Sequence, residues 1–124
     1  MLPDDLTGRR ILVVEDDILI AMLIEEILQD LGCVVVGPVA TLDEALRLAG
    51  DAALDAAVLD VTIRGGQIYP AAEHLLARGI PFILASGYGD WALPEAFRDM
   101  PRLTKPFTAR DIETQIRLLF RATV

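Results

Sequence analysis

Glu15, Asp16 and Asp17 stand in a row directly behind the apolar run Ile11-Leu12-Val13-Val14, and a further acid, Asp60, ends the run Ala56-Ala57-Val58-Leu59. Ser86 closes the stretch Ile80 to Ala85, and Lys105 follows Arg102-Leu103-Thr104. Each stands where a short apolar segment gives way to polar chain. If those segments are parallel strands of one sheet, all of these groups collect along one edge, outside the carboxyl ends, where open α/β sheets bind their ligands. Carboxylates brought that close raise one another's pKa or demand a cation, and Mg²⁺ accepts a hard, oxygen-rich site with few protein ligands while keeping several waters. Once a metal neutralises the cluster, Asp60 can attack phosphorus and form an acyl phosphate, with Ser86 donating to one phosphoryl oxygen and Lys105 pairing with another. Taken singly, an Asp after a strand is usually a turn former or cap, and a Lys before Pro a solvated surface group. The specificity lies in the set and its order along one edge.

The elements that must carry these residues are legible as an alternation of β-branched runs with segments of helical spacing, the pattern of five βα units around a parallel sheet. Ile11 to Val14 is continuously apolar, as a strand covered on both faces must be. Ile20, Leu23, Ile24, Ile27, Leu28 and Leu31 recur at steps of three and four, and Gly32 stands where a left-handed helix cap is wanted. Cys33 to Val36 reads as the second strand, closed by Gly37-Pro38. Thr41-Leu42-Asp43-Glu44 has the form of a capping box, opening a helix that ends at Gly50. Ala56 to Leu59 is the third strand, and Val61 to Gly66 a loop. Pro70 suits a first helical turn, so Ala71 to Arg78 is the third helix, stopped by Gly79. Ile80 to Ala85 is the fourth strand, with Pro81 confined to its start. Gly87, Gly89, Pro94 and Pro101 make any fourth helix short, bent or irregular. Arg102 to Thr104 is a brief fifth strand. Thr108 then caps a last helix with Ile112, Ile116, Leu119 and Phe120 on its apolar face.

Length and charge bound what such a sheet serves. The chain has 124 residues, of which 53% are hydrophobic and 24% charged, enough for one core and too little for two. A net charge of −8 repels phosphate backbones and anionic lipid, which argues against nucleic-acid and membrane partners. The longest apolar stretch, Ile18 to Ile24, is far below the ~20 residues of a bilayer crossing. Met1 to Asp5 lacks the charged start and apolar middle of a secretory signal, so the cytoplasm is the expected location. The lone Cys33 forms no internal disulfide and lacks companions for zinc, leaving burial as its role. His74 reads as a solvated helix residue. Tyr88 and Trp91 fall in a Gly-bearing loop, where contact with a partner and packing on the sheet are equally open.

With those residues in place, the chain from about Arg9 to Phe120 resembles a response-regulator receiver domain of two-component signalling. Ile11 to Asp17 is similar to the family's first strand and acidic pair, Val58-Leu59-Asp60-Val61-Thr62 to its phosphoacceptor segment, and Ser86 and Lys105-Pro106-Phe107 to its remaining motifs. The resemblance implies a doubly wound, flavodoxin-like α/β fold with five parallel strands in the order 2-1-3-4-5 and helices on both faces. It also implies Asp16 as a direct Mg²⁺ ligand, Glu15 as one acting through water, the Thr62 carbonyl as a further contact, Asp60 as nucleophile and Asp17 as a bystander. The Lys105-Pro106 bond is expected cis. Pro81 to Gly89, with Ile63 to Gln67 and Tyr69-Pro70, resembles the Phe-Ala-Thr-Gly-Tyr subgroup, with Ser86 for its Thr and Leu84 for its Phe; the subgroup suggests stress-response phosphorelays. Tyr88 takes a place that in relatives influences the lifetime of the acyl phosphate. Arg102 departs from receivers at large, which carry an aromatic switch three residues before the lysine. Activation is therefore expected to reshape the Gly87 to Pro101 segment instead of rotating one ring.

The implied phosphodonor is a histidine kinase or phosphotransfer protein, and the output a contact with another protein. Met1 favours a free-standing chain over the terminal receiver of a hybrid kinase. The rival reading, a metal-dependent phosphatase with an aspartyl nucleophile, wants a second Asp where Thr62 stands. A nucleotide or flavin binder would need a Gly-rich cradle after the first strand, where this chain has carboxylates.

Overall fold

The computed structural model describes residues 6–87 and 93–121. Five strands, β1 (Arg10–Val14), β2 (Val34–Val39), β3 (Ala56–Asp60), β6 (Phe82–Ser86) and β7 (Arg102–Thr104), form one parallel sheet in the order β2-β1-β3-β6-β7. Two short strands, β4 (Thr62–Ile63) and β5 (Gly66–Gln67), form a separate antiparallel hairpin. With that hairpin set aside, the sheet has the expected 2-1-3-4-5 order.

Strand alternation explains why the apolar runs are unbroken. Leu12, Val14, Ala57, Leu59, Phe82 and Leu84 face one hydrophobic cluster, and Ile11, Val13, Ala56, Val58, Ile83 and Ala85 face the other. Helices α2 (Leu42–Asp51) and α3 (Tyr69–Ala77) cover the first side, through Ala45, Ala49, Ala71, Ala72 and Leu75. Helices α1 (Ile18–Asp30) and α4 (Ala109–Arg121) cover the second, through Ile24, Leu28, Ile112, Ile116, Leu119 and Phe120. No described helix is long and apolar enough to cross a membrane.

The helix ends follow local chemistry. The Asp17 carboxylate accepts from the N–H groups of Leu19 and Ile20 at 3.0 and 3.3 Å, capping α1, and Gly32 ends that helix at φ +92°. Thr41 Oγ1 accepts from Glu44 N–H at 3.3 Å at the head of α2. Thr108 and Asp111 satisfy each other's backbone donors at the head of α4. Gly79, at φ +70°, follows α3.

Several sequence expectations are corrected. β2 starts at Val34, with Cys33 buried just before it, and does not stop at Gly37-Pro38 but runs through this cis-linked pair to Val39. A register shift between Leu12 and Val14 accommodates the passage, with Gly37 at φ +100°. α3 begins two residues early, at Tyr69, with Pro70 in its first turn, and ends at Ala77. β6 begins at Phe82 because Ile80 and Pro81 lie outside the ladder. In the helical stripe of α1, Leu23 is exposed, and Ile18, Leu19 and Met22 beside it face outward. Between β6 and β7 the described residues hold a single 3₁₀ turn, Glu95–Phe97, whose Phe97 ring stacks on Tyr69 at 5.3 Å and meets Phe82 at 6.1 Å. Tyr88 and Trp91 lie outside the described residues.

Candidate functional site

Sheet register delivers the polar residues to one edge. Glu15 follows β1 and is anchored by its N–H to the Val39 carbonyl at 2.9 Å, so the unforeseen extension of β2 is what fixes it. Asp60 ends β3 opposite Ala85, and Val61 N–H bonds the Ala85 carbonyl at 3.0 Å, holding the chain's exit from Asp60 against β6. Ser86 is the last residue of β6 and pairs with Thr104, while Lys105 N–H donates to the Ser86 carbonyl at 2.8 Å. The Lys105-Pro106 peptide is cis, as expected.

Among the described residues, Glu15, Asp60 and Ser86 are the polar side chains within the buried class, and all three stand on this edge. Carboxylate oxygens of Glu15, Asp16 and Asp60 lie within 4.8 Å of one another. The Lys105 ammonium bridges two of these acids, at 2.9 Å from Glu15 Oε1 and 3.1 Å from Asp60 Oδ2. Glu15 Oε2 accepts from Asp17 N–H at 3.1 Å. Glu15 Oε1 is buried and makes no well-oriented hydrogen bond, so its contact with Lys105 is one of charge and proximity.

The electrostatics follow from that crowding. Burial, then the hydrogen bond and charge of Glu15, push the Asp60 carboxyl up to about 7, and Lys105 only partly offsets them. Burial works against the Lys105 cation, yet its close ion-pair contacts with Glu15 and Asp60 prevail, so its pKa is raised. A hard divalent cation fits this donor set: three carboxylates, one with a buried oxygen lacking a hydrogen bond and another whose ionised form burial disfavours.

The structure thus brings together Glu15, Asp16, Asp60 and Lys105, with Ser86 on the same edge. Thr62 is set two residues beyond Asp60, in β4. Asp17 is no member of the acid cluster, but it caps α1 and orients Glu15 through its N–H. Its position just before a helical stripe was the available signal for that role. Arg102, where the resemblance leads an aromatic to be expected, is half-buried and donates to the Arg98 carbonyl at 3.3 Å, while Arg98 Nε donates to the Leu93 carbonyl at 3.2 Å.

Known proteins match this chain over nearly its whole length. The family description "Response regulator receiver domain" matches residues 11–117. The transcriptional regulatory protein PdtaR of Mycobacterium tuberculosis is 33% identical over 119 residues, 93% of this chain, and the chain spans 58% of that protein's length. The solution structure of SdrG from Sphingomonas melonis Fr1 is 44% identical and superposes with a TM-score of 0.80, covering 96% of this chain and 98% of that one. The receiver domain of the sensor histidine kinase PA1611 from Pseudomonas aeruginosa PAO1, solved with a magnesium ion coordinated in its active-site cleft, is 26% identical with a TM-score of 0.74, over 92% of this chain and 98% of that one.

Proposed function

Because this chain belongs to the response regulator receiver domain family and is thereby a receiver of two-component signalling, we propose that Asp60 is its phosphoacceptor and that Glu15, Asp16, Asp60 and the Thr62 carbonyl hold Mg²⁺. The observation that carries the reading is Lys105, whose ammonium lies within 3.1 Å of both Glu15 and Asp60 on an edge that also gathers Asp16. Bound at those acids, Mg²⁺ supplies positive charge that favours ionised Asp60 and offsets charge on the transferring oxygens.

The remaining chemistry belongs to this chain's own side chains. An Asp60 carboxylate oxygen attacks the phosphorus of a phosphohistidine on a kinase or phosphotransfer protein. The new O–P bond forms as the N–P bond breaks, and the imidazole leaves with its electron pair. Lys105, already beside Asp60, moves its ion pair onto a phosphoryl oxygen, and the Ser86 hydroxyl donates to another. The edge residues of the site then face a changed charge, which alters affinity for a protein partner. The same reading sets the domain in the cytoplasm, with phosphoryl capture and its reversal as its only chemistry. The phosphatase alternative is not favoured, since Thr62 offers no carboxyl as general acid two residues after the nucleophile.

Incubation with Mg²⁺ and a small phosphodonor tests this directly. The expected product is a stoichiometric, acid-stable and base-labile adduct that is absent from Asp60→Asn. Labelling that persists in Asp60→Asn rejects Asp60 as acceptor, and repeated turnover of phosphomonoesters supports the phosphatase instead.

A further inference from the structure

The chain leaving Asp60 forms a tight hairpin before it reaches α3. Thr62 pairs with Gln67 and Ile63 with Gly66, and Ile68 N–H donates to the Val61 carbonyl at 2.9 Å. The connecting residues are Arg64 and Gly65; Gly65 has φ +94° and Gly66 φ +139°, conformations that side-chain-bearing residues rarely adopt. Ile63 and Ile68 are buried and anchor the hairpin from below.

The hairpin is also sewn to the start of α2. Leu42 N–H, one of the first-turn donors that a helix leaves unsatisfied, donates to the Arg64 carbonyl at 2.9 Å, and Thr41 forms a parallel bridge with Arg64. A Cβ placed on Gly65 would come within 3.4 Å of the Leu42 Cβ, so the turn lies against that helix end. Bonded and non-bonded pairs alternate along an antiparallel ladder. Ile68 N–H bonds the Val61 carbonyl one step before the Thr62–Gln67 pair while Val61 N–H is taken by Ala85, so Thr62 occupies the non-bonded pair of the hairpin and its carbonyl is directed away from β5.

We propose that this hairpin carries occupancy of the cation site, through the Thr62 carbonyl assigned to it above, to the N-terminus of α2. The inference rests on the cation site proposed above. Its physical basis is the lack of slack. Asp60 is fixed in the sheet, Val61 is bonded to β6 on one side and to Ile68 on the other, and the Arg64 carbonyl is spent on Leu42. A cation drawing on Thr62 therefore displaces a short, hydrogen-bonded ribbon, and the next group along it is the first turn of α2.

Amide NMR of the wild-type chain titrated with MgCl₂ decides the matter. The expected result is that the Leu42 and Arg64 amides shift with the same midpoint as those of Asp16 and Asp60. Shifts at Asp16 and Asp60 with Leu42 and Arg64 unmoved overturn the hairpin's role and leave the cation site standing; no shift at any of them overturns the cation site itself. A second arm uses Gly65. Gly65→Val, which strains the turn and crowds Leu42, is expected to weaken Mg²⁺ binding by roughly tenfold, as loss of outer-sphere support does at other metal sites. Gly65→Asn, which tolerates positive φ, is expected to bind within about twofold of wild type. Mg²⁺ affinity unchanged in Gly65→Val also overturns the proposal, and if that variant does not fold the titration of the wild-type chain stands as the test.

Discussion

Asp60 and Glu15 are two acids crowded into one dry corner, with a single amine to share. A raised pKa means that the folded state holds the Asp60 proton more tightly than the unfolded chain does. Its contribution to stability is therefore present below the ordinary value of 3.8 and is lost as pH rises through about 7. In the presence of a chelator, Asp60→Asn should be more stable than wild type at pH 8, by on the order of 2 kcal/mol, with the gap closing toward pH 4. Urea denaturation at the two pH values measures this, and equal stabilities at pH 8 would contradict the charge crowding described for this edge. Cys33 makes a second residue-scale case. Burial pushes its thiol up to about 11, against a weaker pull downward from Arg117 and Arg9. It should resist alkylation at pH 8 in the folded protein and react at once in denaturant. At this scale the candidate residues were readable from their places at the ends of apolar runs. What sequence could not supply was contact: that Lys105 spans both Glu15 and Asp60 depends on register across strands far apart in the chain.

At the level of elements, three arginines make connections that no periodicity announces. Arg78, just past α3, donates to the Ala49 and Ala52 carbonyls at 2.6 and 2.7 Å and so closes the C-terminus of α2. Arg78→Ala should cost about 1–2 kcal/mol, seen as a lower urea midpoint at unchanged slope. Arg102 ties β7 to Arg98, and Arg98 to Leu93, so the described stretch from Leu93 to Met100 hangs on the strand that ends beside Lys105. Phosphorylation is expected to shift the amides of residues 93–101, and Arg102→Ala to reduce those shifts; spectra unchanged over that stretch would reject a role for it in activation. The strands of the sheet and the stripe of α4 were legible because their burial is two-sided or strictly periodic. The end of β2 was not, since Gly37-Pro38 reads as a stop and only the bulge against β1 lets the strand continue. The β4–β5 hairpin was hidden for a related reason: strands of two residues carry no period.

For the molecule as a whole, charge and cation binding act on stability together. A net charge of −8 repels itself, so NaCl should raise the melting temperature modestly by screening. Mg²⁺ should do more than NaCl at matched ionic strength, because a ligand at a hundred times its Kd stabilises by about 2.7 kcal/mol. Differential scanning calorimetry of wild type and Asp60→Asn compares the two salts; an Mg²⁺ gain that survives the substitution intact would place the ion elsewhere. The fold class was plain in the sequence because five apolar runs alternate with helical stripes. The mounting of the site was less plain, since it depends on how the ends of those runs line up.

The alternation of β1, β3 and β6 makes these strands a party wall between two compartments, each strand furnishing both rooms at once. Neither room can be emptied while the other stays intact, so slow hydrogen exchange should be lost from both sides of the wall at one common denaturant concentration. The acids are bolted to the rim of that wall. Whatever moves when a message is read must move in the fittings around it, while the masonry stays still.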